Sequence, residues 1–163
     1  MLHYIQTLRA TGGGSVPLTP IRYVPNDVKI SMIEIVSYEH KNPVGTIQNP
    51  FCDRKISFDS ATELLLILDQ MLDSLNYPQA AMASRCFKAR PSTVIWNGQH
   101  RQQSPLAVFK LRVLFRQHAS WQGTLAWVDR AEIMPFRSVL EMLKLMDGVL
   151  SYSNQSGIQA GSK

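Results

Sequence analysis

One register organises the chain. Shifting it by 78 positions lays residues from about 30 to 72 on those from about 108 to 150 without a gap: Gly123 falls on Gly45 (123 − 45 = 78) and Phe136 on Phe58. His118, Thr124, Ser138, Glu141, Leu143, Asp147 and Leu150 fall on His40, Thr46, Ser60, Glu63, Leu65, Asp69 and Leu72, which makes nine identities with matched turns and helix starts. A chain built from two copies of one unit must bury two like apolar surfaces, and the economical solution is to bury them together.

Each copy reads as a hairpin followed by a helix. Ile30 to Tyr38 is apolar and β-branched enough for a strand, 39–44 (EHKNPV) forms the turn, and Gly45-Thr-Ile-Gln begins the return strand. A second turn falls at Asn49-Pro50, and Phe58 leads into a helix whose Ser60-Ala-Thr-Glu63 is a capping box, repeated as Ser138-Val-Leu-Glu141. Ala61, Leu64, Leu65, Leu68, Met71, Leu72 and Leu75 recur at helical spacing, with Leu66 and Ile67 widening the stripe so that the helix is expected to be covered on more than one side. The second stripe is Val139, Met142, Leu143, Met146, Val149 and Leu150, and Asn76-Tyr77-Pro78 ends the first helix. Two strands and one helix are marginal alone. The expected fold is therefore α+β, with duplicated ββα units forming a four-stranded antiparallel sheet and two helices on one face.

The expected organisation is an N-terminal extension with a Gly-rich linker (1–28), repeat one (29–78), a basic connector (79–105), repeat two (106–152) and a flexible tail (153–163). The glycine cluster at 12–14 is followed by no Lys-Ser/Thr pair, which argues against a phosphate loop. In the connector, 80–87 suits a helix and 93–96 a short strand. The longest apolar run, Leu64 to Leu68, is far short of a membrane span, and the first residues lack the pattern of a secretory signal. Two cysteines, Cys52 and Cys86, are too few for a disulfide scaffold, so a cytoplasmic setting with no membrane association is the expectation.

Charge is uneven. Residues 1–84 carry six basic and eight acidic residues (6 − 8 = −2), 85–137 nine and two (9 − 2 = +7), and the remainder balances. A basic middle suggests an anionic partner or an acidic protein surface; the plain alternative is a solvated basic surface. The period-two alternation places Glu34, Val36 and Tyr38 with Lys110, Arg112, Leu114, Arg116, Thr124 and Ala126 on the sheet face away from the helices. Such a half-apolar, half-basic face suits a partner, a second copy in a homodimer, or the N-terminal segment. The expected binding residues are Lys110, Arg112, Arg116, His118 and Trp121 from the second hairpin, with Arg85, Lys88, Arg90 and Arg101 from the connector.

The loop Arg116–Trp121 combines guanidinium, imidazole, hydroxyl and indole, and so suits a phosphate or carboxylate; the alternative is a loop whose Trp121 covers the sheet edge. Trp96, Trp121 and Trp127 offer stacking platforms or core filling, and Trp127, in phase with Leu125, points to core. His40 and His118 occupy matched positions, but no carboxylate or thiol stands at ligand spacing, so turn histidines are the better reading and no metal or cofactor is expected. Nucleophile elbows, zinc-protease helices, phosphate-loop lysines and glycosidase carboxylate pairs are absent from the sequence, and Glu63 and Glu141 are accounted for as caps. A non-enzymatic protein is expected.

The strings FRQHASWQGTLAW…FRSVLEMLKLMD and FDSATELLLILDQMLDSLNYPQA resemble a family of small proteins of uncharacterised function encoded on mobile elements and phages of gut bacteria. The resemblance covers residues from about 30 to 150 and brings no catalytic residues with it. It implies an accessory role, including counter-defence inhibitors of nucleic-acid-guided nucleases (the anti-CRISPR type). The resulting expectation is a binding protein that engages or inhibits a host protein or nucleoprotein complex through a basic sheet face. Direct nucleic-acid binding is the alternative, and a metal- or phosphate-dependent enzyme stands behind both.

Overall fold

The computed structural model describes residues 24–52, 54–80, 87, 104–116 and 120–159. The first copy forms β1 (Ile30–Glu39), β2 (Asn42–Gln48), β3 (Ile56–Phe58) and α1 (Ala61–Leu75). The second forms β4 (Ala107–Phe115), β5 (Gln122–Trp127), β6 (Glu132–Phe136) and α2 (Val139–Gln159), which runs on past the repeat boundary expected at 152. The sheet is antiparallel and six-stranded, in the order β3-β2-β1-β4-β5-β6. The unit is thus βββα, and the expected four-stranded sheet is incorrect. The outer strands leave little trace in the sequence because β3 has three residues, while β6 holds Pro135 and is exposed at four of its five positions, so neither alternates legibly.

The two copies meet at β1 and β4 in a register that explains how the repeat folds. Met32 pairs with Lys110, its own counterpart (32 + 78 = 110), and the flanking pairs Ser31–Leu111 and Ile33–Phe109 exchange under the same shift. A pseudo-two-fold axis therefore passes between Met32 and Lys110, as in a symmetric dimer made within one chain. The inward strand face and both helices contribute to one core, with Ile33, Ile35, Phe58, Phe109, Leu111 and Phe136 each at most 2% exposed. On α1 the buried stripe is Leu64, Ile67, Leu68, Met71, Leu72 and Leu75. Ile67 is 3% exposed and widens the stripe as expected, whereas Leu66, at 48%, does not join it.

The caps repeat as well. Ser60 Oγ accepts from the Glu63 amide at 3.1 Å while Glu63 accepts from the Asp59 amide at 2.8 Å; Ser138 and Glu141 do the same at 3.1 and, from the Arg137 amide, 2.7 Å. Asn76 closes α1 in the left-handed conformation. The first hairpin turn is tighter than expected: His40 and Lys41, both at positive φ, link Glu39 directly to its pair Asn42.

Each hairpin carries a bulge. The register skips from Ile35 to Ser37 in β1 and from Val113 to Phe115 in β4, leaving Val36 and Leu114 as the extra residues. Beside each bulge stands the shared glycine. A Cβ on Gly45 would lie 2.0 Å from the Glu34 carbonyl oxygen, and one on Gly123 2.0 Å from that of Arg112. Only glycine permits this approach of neighbouring strands.

Candidate functional site

The bulges redistribute the residues expected on the open face. One extra residue reverses the alternation beyond it, so the side chains that follow change sides. Tyr38 and Arg116 were expected beside Glu34 and Arg112; both instead point to the helix side and are buried, at 9% and 7% exposure. Arg116 is a structural residue. Its Nε donates to the Pro78 carbonyl at 2.7 Å and its Nη1 to Asp73 at 2.6 Å, with Asp69 at 3.5 Å.

Its counterpart behaves alike in the first copy (38 + 78 = 116): Tyr38 Oη donates to Asp147 at 2.5 Å, and Asp147 is the counterpart of Asp69 (69 + 78 = 147). Each hairpin thus grips the helix of the other copy. Sequence reasoning missed this cluster, although an identical Asp at the same position of both helices was its signal. Burial, helped by the neighbouring Asp147 carboxylate, pushes the Tyr38 hydroxyl up to about 12. Lys41, 2.6 Å away, and then Tyr38 hold the Asp147 carboxyl below its ordinary range.

The signs follow from linkage. Tyr38 has a raised folded value, so its contribution is complete below pH 10 and is lost between pH 10 and about 12. Asp147 has a lowered folded value, so its contribution is present above the ordinary value of 3.8 and is lost as the pH falls through the lowered one. The Lys41–Asp147 pair is exposed, with side chains 66% and 43% accessible, and adds little by itself. Urea midpoints measured against pH are therefore expected to fall more steeply above pH 10 in the wild type than in Tyr38→Phe. Parallel curves would refute the assignment.

The open face has three rows about the pseudo-dyad. Ser57, Thr46, Glu34 and Val108 stand side by side, as do their counterparts Pro135, Thr124, Arg112 and Ile30; between them runs Gln48, Met32, Lys110, Ala126 and Ile133. None of the described helices covers this face. Glu34 and Arg112 are dyad mates of opposite charge. Glu34 is neutralised by Lys55 at 2.7 Å and accepts from Thr46 at 3.3 Å. Arg112 is half-buried, and its Nε has no hydrogen-bond partner among the described residues. Lys110, Arg112 and Lys55 against Glu34 leave this face at +2 (3 − 1), with its surplus charge on the second copy.

Comparison with protein-family models, with curated proteins and with solved structures returned no match.

Of the expected binding residues, the open face brings together Lys110 and Arg112. Trp121 is 8% exposed and belongs to the core cluster, so it is no surface platform. Trp127 is half-buried against the same core, and its indole donates to Asp129 at 2.9 Å. Arg85, Lys88, Arg90, Arg101 and His118 lie outside the described residues, as do the helix expected at 80–87 (apart from its end positions) and the strand at 93–96. His40 is exposed in the hairpin turn, and among the described residues no group of three or more His, Cys, Asp or Glu could hold a metal ion. No described helix is long and apolar enough to cross a membrane.

Proposed function

We propose that the protein is a non-catalytic binding protein that engages a protein or nucleoprotein complex through the open sheet face. In its sharpest form, which draws on the family resemblance, it is a mobile-element counter-defence inhibitor. The supporting observation is the surface around the pseudo-dyad: Met32 and Val108 are half-buried apolar side chains on a face no described helix covers, with exposed Lys110 paired to Met32 at the centre and Arg112 close by. Apolar side chains set among two cations suit an acidic, partly apolar protein surface.

Direct binding of nucleic acid is the weaker reading of this face. Two cations neutralise about two phosphates, which yields only about a tenfold loss of affinity for a fourfold rise in salt. With Arg116 and Trp121 in the interior, two of the groups expected to serve that role are already engaged.

The test is affinity capture from host lysate, with and without nuclease, using the wild type and the double variant Lys110→Glu/Arg112→Glu. Expected are a partner that survives nuclease treatment, a capture loss of at least about tenfold in the variant, as for residues central to an interface, and an unchanged unfolding midpoint. Capture indifferent to the variant would overturn the proposal. Capture abolished by nuclease, with a salt-sensitive electrophoretic shift, would establish the nucleic-acid reading instead.

A further inference from the structure

On the helix side of the sheet, away from the face discussed above, a cavity of about 340 Å³ opens between the first hairpin and α2. Tyr38 and Pro43 line it from the hairpin, Ala61 from the start of α1, and Leu143, Met146 and Leu150 from α2. Its volume falls in the range of small-molecule sites.

The duplication supplies an internal reference for what this space accommodates. The α2 wall corresponds to Leu65, Leu68 and Leu72 of α1, apolar residues of similar size (143 − 78 = 65, 146 − 78 = 68, 150 − 78 = 72). The other walls differ. Pro43 corresponds to Trp121 (43 + 78 = 121) and Ala61 to Val139 (61 + 78 = 139), so the second copy carries an indole and an isopropyl group where the first has a pyrrolidine ring and a methyl. The Trp121 side chain belongs to the core and is 8% exposed. By the pseudo-two-fold relation, the first copy has a cavity lined by Pro43 and Ala61 where the second copy carries a buried indole and Val139.

Charge separates the two places in the same sense. Lys41 and Lys144 line the open cavity. Their counterparts are Ala119 (41 + 78 = 119) and Leu66 (144 − 78 = 66), so both cations belong only to the unfilled site. Asp147 offsets one of them through its 2.6 Å pair with Lys41, leaving a surplus of one positive charge (2 − 1 = +1) around an apolar recess.

We propose that this cavity binds a small aromatic carboxylate. The ring occupies the space that corresponds to the Trp121 indole, and the carboxylate meets Lys144 at the mouth, Lys41 being held by Asp147 and Ser151. Neutral aromatic compounds lack the second contact and bind more weakly.

The probe is indole-3-acetate, titrated into the full chain by calorimetry and followed by NMR, with indole as the neutral control. Saturable one-to-one binding is expected with a dissociation constant of about 1 mM or tighter, in line with the usual yield per ligand atom. Pro43→Trp, which introduces the second copy's filling, is expected to abolish binding. Lys144→Gln is expected to weaken indole-3-acetate several-fold and leave indole unchanged. If Pro43→Trp does not fold, Ala61→Val supplies the smaller steric block and is expected to weaken both compounds. The proposal is overturned by the absence of saturable wild-type binding, by binding that folded Pro43→Trp or Ala61→Val leaves intact, or by equal affinity for both compounds in the wild type.

Discussion

Gly45→Ala and Gly123→Ala are each expected to destabilise the fold by about 3 kcal/mol or more, the upper range for forcing extra volume into a closed site. The reason is geometric. The new Cβ would lie 2.0 Å from a carbonyl oxygen of the adjacent strand, Glu34 in one copy and Arg112 in the other, and the atom in the way is backbone. Relief requires moving the bulge, which also sets the side on which Tyr38 and Arg116 emerge. In a chain of this size such a loss lowers the melting temperature by roughly 10 °C. Gly148 is the contrasting case: a Cβ there meets nothing within 4 Å, and the residue stands inside α2. Gly148→Ala should therefore stabilise by about 0.5–1 kcal/mol through helix propensity. Calorimetric melting of the three variants decides the matter, and a Gly123→Ala protein as stable as the wild type would refute the close approach.

Arg116→Met is expected to cost about 2–3 kcal/mol, mostly because it leaves the carbonyl of buried Pro78 without its donor. Asp73, 62% exposed, can return to water and adds little to the loss. Arg116→Lys should recover only part of it, since an ammonium cannot donate in the two directions the guanidinium fork serves. Arg112→Gln, on the open face, should stay within about 0.5 kcal/mol of wild type, as surface substitutions do. Urea unfolding separates the two arginines. A stable Arg116→Met protein that had lost partner binding would return Arg116 to the binding surface.

Much of the frame was legible in the sequence because it is local. Capping boxes, apolar stripes and the Asn76 helix end each depend on residues a few positions apart, and the 78-residue shift doubled every signal. The functional face was legible in part. Lys110 and Arg112 precede the bulge and lie where alternation put them; Arg116 follows it and does not. Nothing in Val113-Leu114-Phe115 distinguishes a bulge from a regular strand, because all three are apolar. The glycine paired with Val113 marked the place, and its meaning appears only when the Arg112 carbonyl is seen against it.

The sequence by itself determined that the chain is a duplication, that each copy ends in a capped amphipathic helix, and which strand residues ahead of the bulges enter the core. These follow from periodicity and short-range hydrogen bonding. Only the tertiary structure decided how the copies join. Pairing of β1 with β4 about Met32 and Lys110 depends on contacts between segments 78 residues apart, which no local pattern encodes. That pairing brings Arg116 to Asp73 and Tyr38 to Asp147, removes Trp121 from the surface, and leaves Lys110 and Arg112 on a sheet face that no described helix covers.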